Sequence, residues 1–164
     1  MGREVRRVPA DWQHPKNEFG EYVALFDGKD YELLVRKWDE EAAKWREGLR
    51  SEYKGGWQPI GDVDSETYAE WSGERPDAVD YMPQWTDAER THLMMYEDTS
   101  EGTPISPAFA TPEELARWLA DSKASAFGRE GASYKGWLRV ARGGWAPSMV
   151  FTQQTGMVSG VDAL

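Results

Sequence analysis

Asp62-Val63-Asp64-Ser65-Glu66 sets three carboxylates at alternate positions, which is how a calcium-binding loop begins. The pattern then breaks. The sixth position is Thr67 where the loop's sharp turn needs Gly, and the twelfth is Gly73 where a Glu would close the shell. The segment is expected instead to lead into a short helix, because carboxylates favour the positive end of a helix dipole. His14 and His92 could each serve a metal or a proton transfer, but they stand isolated in the sequence. Glu97-Asp98 and Glu113-Glu114 could supply carboxylates for acid-base work, although the second pair already suits a helix start. The polar stretch Glu97 to Ser106, together with His92, is where an enzyme site without a familiar motif would lie.

Familiar motifs are missing. The chain contains no Gly-x-Ser-x-Gly, no phosphate-binding loop, no dinucleotide fingerprint and no His-Glu-x-x-His. With no Cys there are no disulfides, no Cys-ligated zinc and no thiol nucleophile, a composition suited to a reducing cytoplasm. No cofactor and no metal site is expected. No apolar run, Leu93 to Tyr96 included, is long enough to span a bilayer, and the basic start at Arg3, Arg6 and Arg7 is not followed by a secretory apolar stretch.

Charge placement is more informative. From Asp62 to Glu101 there are twelve acids and two bases, Arg75 and Arg90. That quarter of the chain carries the whole formal charge of −10, and the remainder is balanced. Such a segment is repelled by phosphate, so direct nucleic-acid binding is disfavoured. It would attract a basic protein surface, such as one that ordinarily holds DNA or RNA. The acids expected to meet such a partner are Asp62, Asp64, Glu66, Glu70, Glu74, Asp77 and Asp80. Nine Trp in 164 residues is well above ordinary usage, and Trp57, Trp71 and Trp85 are the candidate anchors. The alternative is a solvated acidic surface that serves solubility.

The elements that must position these groups suggest one α+β domain spanning 1–164, with three or four helices on a small, mostly antiparallel sheet. Arg3 to Val8 suggests a strand, its bases discouraging pairing at a sheet edge. Tyr22 to Phe26 suggests another. Leu34, Trp38, Ala42, Trp45 and Leu49 lie on one helical stripe, predicting a helix from Asp30 to about Tyr53 that Gly55-Gly56 would stop. A short helix is expected over Ser65 to Trp71. Leu93 to Glu97 suits a strand. Thr111-Pro112-Glu113-Glu114 is a strong helix start, leading to Leu115, Trp118 and Leu119. A further helix is expected over Ser133 to Ala141, then a hairpin pairing Met149 to Phe151 with Met157-Val158. Lys54 to Pro59 and Arg142 to Pro147 echo one another, as two helix ends would.

Gly2-Arg3-Glu4-Val5-Arg6-Arg7-Val8-Pro9, with Trp12 to Pro15 after it, resembles the start of a family of small tailed-phage and prophage proteins. Tyr96 to Pro107, running into Thr111 to Asp121, is similar to that family's second recurring block, and the Trp145 to Pro147 segment extends the likeness. The resemblance implies a phage origin and action in a bacterial host cytoplasm; it brings no catalytic residues. The leading expectation is a non-enzymatic binding protein that engages a basic host protein, such as a CRISPR defence complex. The alternatives are a phage factor for genome replication or particle assembly, and an enzyme at Glu97 to Ser106.

Overall fold

The computed structural model describes residues 2–98, 102–153 and 156–163. Its architecture is α+β, with five helices and eight strands among those residues, every strand pairing antiparallel. The chain divides into two compact units, residues 1–26 with 84–164, and residues 27–83.

The first unit is built on a four-stranded sheet, ordered β5-β4-β1-β6. Its strands are β1 (Gly2–Val8), β4 (His92–Glu97), β5 (Thr103–Pro104) and β6 (Trp145–Pro147). β1 is therefore an inner strand, and Arg3 and Arg6 are buried rather than guarding an edge. The register explains how two arginines fit there. Arg3, Val5 and Arg7 lie opposite Glu97, Met95 and Leu93 on one face, while Glu4, Arg6 and Val8 lie opposite Tyr96, Met94 and His92 on the other. Both faces are covered, so alternation no longer reports apolar against polar. The first face carries the apolar core.

Helices α3 (Pro112–Asp121) and α4 (Tyr134–Gly143) pack on that first face. Leu115, Ala116 and Leu119 of α3 meet Trp137, Val140 and Ala141 of α4, with Met95 and Ala146 beneath them. The expected start of α3 is present: Thr111 accepts from the Glu114 amide, and the Glu114 carboxylate accepts from the Thr111 amide. Gly144 ends α4 in the left-handed conformation. Strands β7 (Met149–Thr152) and β8 (Gly156–Ser159) form the expected hairpin, followed by the short α5 (Gly160–Ala163). Gln154 and Thr155 at its turn lie outside the described residues.

In the second unit, α1 covers Tyr31–Arg46 and ends earlier than its apolar stripe suggests. Gly48, at φ +81°, breaks the helix, and Leu49 starts β2 (Leu49–Ser51). Asp30 makes no side-chain cap; Asp27 caps the short 3₁₀ turn before the helix. Gly55-Gly56 lies in the turn from β2 to β3 (Trp57–Pro59), so the echoed Lys54 and Arg142 segments are a hairpin turn and a helix end. α2 (Tyr68–Ser72) is the short helix expected there, held by a Thr67–Glu70 capping box. Tyr22–Phe26 does not form a continuous strand: its two ends make isolated bridges, that of Tyr22 to Lys16.

Candidate functional site

The seven acids expected to bind a partner all fall in the 27–83 unit, and every one is exposed. None forms an ion pair with a base among the described residues; Arg75 is bound to Asp39 on α1 instead, through Nε at 2.8 Å and Nη2 at 3.0 Å. Two of the seven have local tasks. Glu70 accepts from the amides of Glu66 and Thr67 at 2.7 and 2.9 Å, which holds its carboxyl below the usual range. Asp77 caps a short 3₁₀ turn by accepting from Val79 N. The side chains of Asp62, Asp64, Glu66, Glu74 and Asp80 make no hydrogen bond among the described residues. The unit holds fifteen acids against eight bases.

The three candidate anchors divide between the units. Trp71 stacks on Trp45 with centroids 5.6 Å apart and 28° between planes, and remains 47% exposed. Trp45 in turn donates to Glu66 O, and Trp38 donates to Gly73 O, so two α1 indoles brace both ends of the α2 segment. Trp57 is exposed on β3, with the Lys44 ammonium 5.9 Å from its ring. Trp85 belongs to the other unit, where it packs edge-on against Trp12 at 4.7 Å.

In the first unit, the second face of the sheet carries a chain of buried polar groups. His14 Nε2 lies 2.6 Å from Val23 O and must carry the proton, because a carbonyl only accepts. His14 Nδ1 is then free to accept from the Tyr96 hydroxyl at 3.2 Å, and that oxygen accepts from Trp12 Nε1, also at 3.2 Å. Burial lowers the His14 pKa below its ordinary value and pushes Tyr96 up to about 12. Both groups are thus neutral near pH 7. Arg6 lies over the Tyr96 ring at 4.5 Å and donates to Leu25 O at 2.6 Å and to Glu4 through Nε and Nη2. Gly102, at φ +102°, accepts from Leu25 N, leaving no room for a Cβ.

A cavity of about 730 Å³ opens beside this network. Trp12, His14, Met94 and Trp118 line it, as do residues 104–108. Ser106 is locked within that loop: Oγ accepts from Met95 N at 2.9 Å and donates to Pro107 O at 2.8 Å. Its proton is already committed to a carbonyl, so the hydroxyl is not arranged as a nucleophile. Glu97 is bound to Arg3 at 3.0 Å. His92 does not line the cavity; its Nδ1 meets the Thr91 hydroxyl at 2.9 Å. The structure therefore does not gather Glu97, Ser106 and His92 into one constellation, and Thr99 to Glu101 lie outside the described residues. Sequence reasoning singled out His14 but not the cavity beside it, nor its partners Tyr96 and Val23, which come from other segments.

No family model, no curated protein and no solved structure matches this chain. The described residues contain no group of three or more His, Cys, Asp or Glu side chains placed to hold a metal ion. None of the described helices is long and apolar enough to cross a membrane.

Proposed function

We propose that the chain is a phage-encoded, non-enzymatic binding protein whose acidic 27–83 unit docks on a basic protein surface of a bacterial host. The observation that supports this most is the state of the seven acids: exposed, in one compact unit, and without a base as partner among the described residues. A carboxylate that is already ion-paired has to exchange one partner for another. These do not, so their field is available to steer an approaching cation-rich surface. Trp71, braced from behind by Trp45, adds a rigid apolar contact of the kind that anchors interfaces. A host complex that handles nucleic acid, a CRISPR effector among them, has the required surface chemistry.

The test separates position from total charge. One variant reverses Asp62, Asp64, Glu66 and Glu74 to Lys, leaving the capping groups Glu70 and Asp77 intact. A control reverses four exposed acids of the other unit: Asp11, Glu18, Asp87 and Asp121. Both are tagged and used for capture from host lysate beside the parent chain. The proposal expects the bound protein to be basic, retained by the control and lost from the first variant. Equal capture by both variants, or equal loss from both, would refute it.

A further inference from the structure

The cavity on the first unit differs chemically from the rest of the chain. Among the described residues its lining contains no Asp or Glu, although the protein has 29 of them in 164 residues. The one formally charged residue among the described lining is Lys16, which forms no ion pair among the described residues and has its ammonium 4.7 Å from the Tyr22 ring. The other polar groups separate into two sets. Those deep in the wall are satisfied by the protein: the Trp12 indole N–H by Tyr96, both His14 nitrogens by Tyr96 and Val23, and the Ser106 hydroxyl by Met95 and Pro107. Those left without a protein hydrogen bond among the described residues are the Lys16 ammonium, the Gln13 amide, the Tyr22 hydroxyl and the Trp118 indole N–H. Each of these can donate, and the ammonium and indole can do nothing else.

The walls also specify shape. Trp12, Tyr22 and Trp118 present aromatic surface, and Pro104 and Pro107 add rings with no amide hydrogen. Trp12 is fixed on two sides, by its hydrogen bond to Tyr96 and its edge contact with Trp85. A rigid aromatic wall with donors at its margin is prepared before a ligand arrives. The volume lies within the range that holds small organic ligands.

We propose that this cavity binds a small planar aromatic anion, a ring system carrying one carboxylate or phosphate group. The ring lies against the indole and proline surfaces. The anionic group faces Lys16, with Gln13 or the Trp118 N–H as a second donor. This site is separate from the acidic docking surface and does not depend on it.

The test uses the full chain labelled with nitrogen-15, in which each indole N–H reports separately. Resonances are assigned by single Trp→Phe substitutions. Indole-3-carboxylate and adenosine monophosphate are the two anionic aromatic probes, and they distinguish a carboxylate from a phosphate preference. Neutral indole and cyclohexanecarboxylate are the controls that lack the charge or the ring. At least one anionic aromatic is expected to move the Trp12 and Trp118 signals in a saturable way while leaving Trp38 and Trp45 in place. Lys16→Gln, at an exposed side chain, is expected to weaken that binding roughly tenfold, as loss of a charge-assisted hydrogen bond does. The proposal is overturned if neither probe moves those two signals at millimolar concentration. It is equally overturned if either control binds as tightly, or if Lys16→Gln leaves the affinity unchanged.

Discussion

Arg3 and Arg6 in the first unit and the acids of 62–80 in the second are charged groups with opposite fates. The arginines are buried, and their donors are matched with carbonyls, a serine hydroxyl and the carboxylates Glu97 and Glu4. The acids are exposed, and five of the seven have no hydrogen bond from their side chains among the described residues. Charge of the first kind specifies a structure, because removing it leaves buried partners unsatisfied. Charge of the second kind contributes little to folding and remains available to another molecule.

The contrast can be broken most severely at Gly102. A Cβ there would strike Leu25 O and approach the Arg6 guanidinium to 2.7 Å, in a backbone conformation that L side chains rarely adopt. Gly102→Ala is expected to destabilise the protein by about 4 kcal/mol or more, measured by chemical denaturation. Arg3→Met keeps the aliphatic stem but removes the donors to Ser125 O and Glu97, and a loss of about 3 kcal/mol is expected. Tyr96→Phe leaves the Trp12 N–H and the His14 acceptor without their shared partner. It should cost about 2 kcal/mol, with a change in tryptophan fluorescence.

His14 gives a smaller effect that depends on pH. Burial holds its pKa below 6.5, so the folded protein resists the proton that the unfolded chain accepts. Well above 6.5 neither state holds the proton and this group contributes no slope. As the pH falls from there towards the lowered folded value, the unfolded state binds more protons and stability declines. The difference in unfolding free energy between pH 7.5 and 5.5 should be smaller in His14→Gln than in the parent. An equal difference would mean that His14 is not held neutral.

Local signals were legible where they act locally. Thr111-Pro112-Glu113-Glu114 identifies the start of α3 because both halves of its capping box lie within four residues. The period of Leu34, Trp38, Ala42 and Trp45 identifies α1 but not its end: Leu49 continues the stripe, and the conformation of Gly48 interrupts it. β1 was recognisable as a strand, yet its position in the sheet was not. Two arginines suggest exposure unless one knows that Glu97, Ser125 and Leu25 will meet them from distant segments. The cavity was illegible for the same reason, since its walls come from residues 10–22, β4, the 104–108 loop and α3. The acidic surface was the reverse case. Its residues are close in sequence, so their shared charge was legible, although the division into two units and the absence of partner bases among the described residues were not.

The docking account is tested most directly by association kinetics with the captured host protein across a range of ionic strength. The parent chain should associate fast at low salt and slow steeply as salt rises. Asp62, Asp64, Glu66 and Glu74 reversed together to Lys should associate slowly with a flattened salt dependence, while unfolding free energy stays within about 0.5 kcal/mol of the parent. An association rate and salt slope unchanged by that reversal would contradict the claim that these carboxylates form the docking surface.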